Sequence, residues 1–238
     1  MNQEQPILSI VIPVFNKFNF TKSCLADLSR LPSDHQIIIV DNGSIDETQS
    51  SLQGSTEITY IRNDKNLGFA KACNIGYGNS LSNNVLFLNN DIRVRSHNYN
   101  EYSWTAPLIQ KCSDGLVGPT MGQLDNNLNF VQEANKILPG NSYMSGWCLA
   151  SSKGVWSKLQ IPRNEIEQSI PQIFSEEFGL AYFEDTDLSF RARKLGIAFH
   201  VVDIPVIHFG RQSSKQINTA MLYQQAREIF VKKWLGNI

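Results

Sequence analysis

Short apolar runs separated by polar turns dominate the first ninety residues, and their spacing predicts the fold class. Residues 7–15 (ILSIVIPVF), 36–40 (QIIIV) and 58–61 are rich in β-branched side chains, and 85–88 (VLFL) is continuously apolar. Such runs suit strands covered on both faces. Between the first two, Phe20, Cys24, Leu25 and Leu28 recur at helical spacing, with Asn16 as the cap and residues 31–34 as the break. A second helix is expected from Asp46 past Thr48 and Leu52 to Gly54, and a third from Asn66 to Asn79. Strand and helix alternating in this way predict a parallel, doubly wound α/β sheet. Right-handed crossovers then set the carboxyl ends of all four strands on one rim, which gathers Asp41, Asn42, Asn66 and Asp91 at one cleft.

The second half alternates less regularly. A helix is expected over 99–111, a strand end at 115–119, and a hairpin around the polar turn 125–129. Residues 145–150 (SGWCLA) read as a strand carrying one exposed aromatic, Trp147. Residues 161–174, with Pro162 and Pro171, read as a loop. A helix over 184–195, capped by Gly196, presents Leu188, Ala192 and Leu195 on one face. A strand over 197–202, a polar loop over 208–216 and a long helix over 218–235 complete the chain. With no repeat, low-complexity tract or linker in view, one domain over residues 1–238 is the simplest account.

Composition narrows the partners. Charged residues make up 18% of the chain and its net charge is −1, so no global field recruits nucleic acid or anionic lipid. No apolar run approaches the ~20 residues of a membrane span, and the first residues lack a basic, signal-like start. Cys24, Cys73, Cys112 and Cys148 lie far apart and form no C-x-x-C pair, which reads as buried free thiols in a reducing compartment. The expectation is a soluble cytoplasmic protein, with docking at the inner face of the membrane left open.

Several polar clusters sit where chemistry is expected. Asn89, Asn90 and Asp91 follow the apolar strand, and Asn89 and Asp91 can face one ligand across the pleat. A carboxylate with an amide neighbour suits a hard cation that keeps some waters and bridges diphosphate oxygens, Mn²⁺ or Mg²⁺. Asp41 and Asn42 precede Gly43, a turn whose carboxylate can accept a nucleobase imide or simply shape the turn. Gly68 opens a helix whose Ala70, Ala72 and Gly76 are small, so its free N–H groups can meet a diphosphate, or its small face can pack on the sheet. Glu184, Asp185 and Asp187 crowd a helix start; like charges this close split their pKa values, which can leave one as a general base. His208 stands in a loop beside Gly210 and Arg211, and Trp147 is a stacking surface for a sugar or a core residue.

In family order over roughly residues 7–210, these segments resemble the family-2 inverting glycosyltransferases of GT-A fold. The matching pieces are residues 9–16, 41–46, 66–76, 87–91, 146–147 and 183–188 with Arg191. The resemblance implies a Rossmann-like domain whose mostly parallel central sheet is flanked by helices, with a small antiparallel addition. Residues 7–97 would bind the nucleotide-sugar, 98–216 would hold the acceptor and the catalytic group, and 217–238 would form a terminal helix. Pro13, Val14, Phe15, Asn16, Asp41 and Asn42 would hold base and ribose of a UDP- or dTDP-sugar, with Asn66, Gly68, Lys71, Asn74, Asn89, Asn90, Trp147 and Arg211 also on substrate. Asp91 matches the metal-binding Asp of the D-x-D element, whose first Asp is here Asn89, and His208 matches a second metal ligand. Asp185 matches the general base and Glu184 its acceptor-orienting neighbour. Residues 208–214 are similar to rhamnosyltransferase-like members that build bacterial surface polysaccharides, so a glycan or lipid-linked acceptor is implied. A nucleotide-binding module without turnover and a sugar nucleotidyltransferase are the rivals; Pro13 to Lys17 stand where the latter carries a Gly-rich loop.

Overall fold

The structure, a computed structural model, describes residues 5–95, 104–162, 170–210 and 219–236. Seven strands form its central sheet. β1 (Leu8–Val14), β2 (His35–Asp41), β3 (Thr59–Arg62) and β4 (Asn84–Leu88) supply one half. β6 (Gly115–Gly118), β10 (Cys148–Ser152) and β11 (Ala198–Val201) supply the other, and the order is β11-β6-β10-β4-β1-β2-β3. β1 pairs in parallel with both β2 and β4, and β2 with β3. The carboxyl ends of these four strands therefore share one rim, as the alternation of runs predicts. β10 runs antiparallel to β4 and to β6, so the sheet is mixed at its centre.

Burial on both faces follows from the β-branched runs. Val11, Val40, Val85 and Phe87 face a layer with α3 (Phe69–Gly78), α5 (Lys153–Lys158) and α6 (Glu184–Lys194). Ile10, Ile12, Ile39, Leu86 and Leu88 face the layer with α1 (Phe18–Leu28), α2 (Thr48–Leu52) and α4 (Ala106–Lys111). Consecutive residues alternate between the two layers, the period-2 pattern of a strand. All four cysteines are buried free thiols, Cys73 in the first layer and Cys24, Cys112 and Cys148 in the second.

Two smaller ladders stand outside the main sheet. β7 (Met121–Leu124) pairs with β8 (Phe130–Ala134) and β9 (Ser142–Met144), which confirms the hairpin around 125–129. β5 (Ile92–Val94) pairs antiparallel with β12 (Val206–His208), a ladder that three-residue segments do not announce in sequence. α7 (Thr219–Trp234) lays Tyr223, Phe230 and Trp234 against Phe178, Phe183 and Phe190.

The helix starts differ from the sequence reading in one respect. Asn16 does not cap α1: it stands in left-handed backbone, and its carboxamide oxygen accepts the Ile45 N–H at 2.8 Å. The first free N–H of α1, on Phe18, goes instead to Asp46 at 2.9 Å, and the same carboxylate accepts the Thr48 N–H. A charged acceptor from the next crossover serves two helix starts at once.

Candidate active site

The β5–β12 ladder creates the site's first contact. Its register sets His208 opposite Ile92, next to Asp91, and the Phe209 N–H donates to the Asp91 carbonyl at 2.9 Å. His208 Nε2 then lies 3.1 Å from Asp91 Oδ1, and the Asn89 carboxamide approaches the same nitrogen at 3.1 Å. Whether Nε2 accepts from that amide or donates to the carboxylate is set by the ring's tautomer. Asp91 Oδ1 is buried and has no hydrogen-bond partner among the described residues. An orphaned buried carboxylate oxygen costs stability unless something positive meets it. A carboxylate oxygen and an imidazole nitrogen facing each other fit a divalent cation that keeps open positions for water and diphosphate oxygens. No third His, Cys, Asp or Glu joins them among the described residues.

Residues 146–147 connect this pair to the acidic helix start. The Trp147 ring stacks on His208, centroids 4.8 Å apart and planes 10° apart, and the Trp147 carbonyl accepts the Asn89 N–H at 2.8 Å. One residue earlier, the Gly146 N–H donates to Asp185 Oδ2 at 2.8 Å. A Cβ on Gly146 would sit 2.9 Å from the Asp185 Cβ, so only glycine lets the turn come this close. Asn89, Asp91, His208, Trp147 and Asp185 thus form one contiguous group.

Asp185 begins α6 beside Glu184, after two consecutive residues in left-handed backbone, Tyr182 and Phe183. Such backbone is costly for bulky residues and is held here by the stacking of Phe183 on Phe230 of α7. Burial raises the Asp185 carboxyl above its ordinary range, against hydrogen bonds from Gly146 and Thr186, and the nearby Glu133 charge adds to the rise. Burial and the Asp185 charge push Glu184 up to about 8. Glu184 Oε2 is buried without a hydrogen-bond partner among the described residues, so nothing there stabilises a charge on it. Asp187 does not belong to this chemistry: Arg191, Lys233 and Trp234 occupy its oxygens and dock α7.

The donor-side expectations divide. Asp41 is fully buried: Ser44 donates to one oxygen, and Tyr60 and Arg62 to the other. In this arrangement it fixes the turn at the end of β2. Asn42 spans from the Gly68 carbonyl to the Asn63 amide and ties the β2 end to the start of α3. The Asn74 amide donates to Phe174 O and Glu176, and its oxygen accepts from the Ile173 and Phe174 N–H groups. These bonds use all its capacity and leave none for a ligand. Asn90, buried, donates to Thr21 of α1 and is a packing residue. Val14 is buried, whereas Pro13 and Phe15 remain half-exposed on the rim. Asn66 accepts the Gly68 N–H, and Lys71 lies 3.9 Å from Glu176 with its side chain 39% exposed. Arg211 lies outside the described residues.

Sequence reading missed Arg62 and Glu133. Arg62 ends β3 in register with Asp41, so the rim argument applied to β2 would have found it. Glu133, on the outer hairpin, carries no sequence signal of its partners.

Residues 9–114 match the family model described as glycosyl transferase family 2. The match spans just under half of the chain and is a similarity to that family. An uncharacterised protein of Mycobacterium tuberculosis is 26% identical over 224 residues, 87% of this chain and 76% of the relative. The uncharacterised glycosyltransferase YkoT of Bacillus subtilis is 34% identical over 91 residues, 34% of this chain and 26% of its own. Among solved structures, a Pyrobaculum calidifontis mannosyltransferase in complex with GDP-Man and Mn²⁺ superposes with a TM-score of 0.57 at 11% identity. The match covers 84% of this chain, which spans about 55% of that one. The fold is GT-A, as in that structure. Among the described residues no helix is long and apolar enough to cross a membrane.

Proposed function

We propose that the chain transfers a sugar, with inversion, from a UDP- or dTDP-sugar to a hydroxyl of a glycan or lipid-linked acceptor at the inner face of the membrane. Residues 7–97 hold the donor and 98–216 the acceptor, whose chemistry is that of the surface-polysaccharide branch that residues 208–214 resemble. The observation that carries this reading is the 146–147 turn, which touches the Asp91–His208 pair on one side and Asp185 on the other.

Asp91 and His208 would hold Mn²⁺ or Mg²⁺, which supplies charge to the departing diphosphate. Asp185 takes the proton from the acceptor hydroxyl. The acceptor oxygen forms its bond to the anomeric carbon from the face opposite the nucleotide. The bond from that carbon to the diphosphate oxygen breaks, and its electron pair leaves with the nucleoside diphosphate. Burial suits Asp185 to this role, because a carboxylate raised above its ordinary range is a stronger base. Glu184, kept neutral, adds no second negative charge beside the reacting oxygen. Pro13 and Phe15 line the donor rim, and the Trp147 ring holds the imidazole flat.

The test is transfer from a panel of UDP- and dTDP-sugars with Mn²⁺, wild type against Asp185→Asn. The variant is expected to lose about 10²–10⁴-fold in kcat while keeping donor affinity by calorimetry. Full turnover in the variant would sink the assignment.

A further inference from the structure

On the assignment of Asp185 as base, we infer that Glu133, on the outer hairpin, is a positioning residue for the reaction that holds the 145–147 turn and supplies a fixed negative charge to its acceptor side. One oxygen of Glu133 accepts two hydroxyls, Ser145 Oγ at 2.6 Å and Thr120 Oγ1 at 2.8 Å. Thr120 Oγ1 in turn accepts the Trp147 indole N–H at 3.0 Å, and the Thr120 carbonyl accepts the Ser145 N–H. A single carboxylate thereby holds both ends of the turn: Ser145 before Gly146, and the ring of Trp147 after it. Gly146 contacts Asp185, and Trp147 contacts His208.

The arrangement is not explained by stability of the hairpin. Phe130, Val131, Gln132 and Glu133 of β8 are exposed, and an exposed carboxylate accepting hydroxyls adds little to folding. What Glu133 fixes instead is the angle of two groups that touch the reacting centre. Partners of this kind, one step removed from the reacting groups, commonly change activity about 10–100-fold when lost. Charge is the second part. The groups facing Asp185 are Glu184 on α6, Tyr143 on β9 and Glu133 on β8, with Tyr223 of α7 beside Tyr143. Among the charges acting on Asp185 from outside α6, that of Glu133 favours the protonated carboxyl and so strengthens it as a base.

Geometry and charge separate in two variants. Glu133→Ala removes both, and kcat falls about 10–100-fold with KM for the donor little changed. Glu133→Gln keeps an oxygen that accepts both hydroxyls and loses only the charge. It restores most of the plateau kcat, while the acid limb of kcat against pH moves to lower pH. Donor affinity at a fixed pH, which reads the Asp91–His208 pair, stays where it was. Wild-type kcat in Glu133→Ala, or a Glu133→Gln acid limb that does not move, overturns the inference. Thermal denaturation of both variants separates a folding defect, which would lower both kcat values together. Failure of the parent reading looks different: Asp185→Asn would then turn over normally whatever happens at Glu133.

Discussion

Asp41 closes β2 and Asp91 follows β4, the two strands that flank β1, and each carboxylate emerges on the same rim. Asp41 is met by Arg62, Tyr60 and Ser44 and is fully buried. Asp91, also buried, keeps one oxygen without a hydrogen-bond partner among the described residues and faces an imidazole nitrogen. Both positions satisfy the same sequence rule, an acid at a strand's carboxyl end, but one is a clasp and the other leaves a carboxylate oxygen unpaired among the described residues. The difference lies in the neighbours. β3 brings Arg62 into register with Asp41, whereas β12 brings the His208 imidazole to Asp91.

Replacing each acid tests this contrast, with the clasp giving the largest effect on stability. Asp41→Ala leaves the Arg62 guanidinium and the Tyr60 hydroxyl facing a buried gap, and is expected to cost about 3 kcal/mol in urea unfolding. A loss below about 1 kcal/mol would contradict the clasp. Next comes pH. Glu184 is held at about 8, above the ordinary 4.5, so the folded chain binds its proton more tightly than the unfolded chain does. The stability it contributes is complete below its ordinary range and is lost as pH rises toward about 8. Glu184→Gln removes that dependence, so the fall in Tm between pH 6 and pH 9 shrinks. An unchanged fall would remove Glu184 from the ledger of buried acids. Smallest in stability is Asp91→Ala, expected to shift unfolding by about 1 kcal/mol or less. Its effect is on ligands: stabilisation by Mn²⁺ with a nucleotide-sugar disappears, and a thermal shift that persists would assign the cation elsewhere.

The amino-terminal half was legible because its strands pair with near neighbours in sequence. Runs such as Ile37 to Val40 are apolar on both faces and separated by helix-length segments, so their order followed from their spacing. The antiparallel insertion of β10 between β4 and β6 was not legible, since 148–152 reads the same in either direction. The short β5–β12 ladder was invisible for a related reason: it joins residues more than a hundred apart, three on each side. The site shows the same limit. Asp185 and His208 were found through their likeness to a family, and the structure shows them linked by the 146–147 turn. Asn74 and Asn90 were expected at substrate because a polar residue near a strand end or helix start looks available. Their partners, Ile173, Phe174 and Thr21, are supplied by tertiary packing, which no local pattern encodes.

The sulfur chemistry of the chain follows from where its layers close. Cys73, on α3, faces one side of the sheet, and Cys24, Cys112 and Cys148 lie on the opposite side. Burial lifts each thiol above its ordinary range, so the folded protein presents no thiolate to oxidants or alkylating agents. A reagent reaches these atoms only after a helix has lifted away, and the two sides of the sheet carry separate reporters of that event.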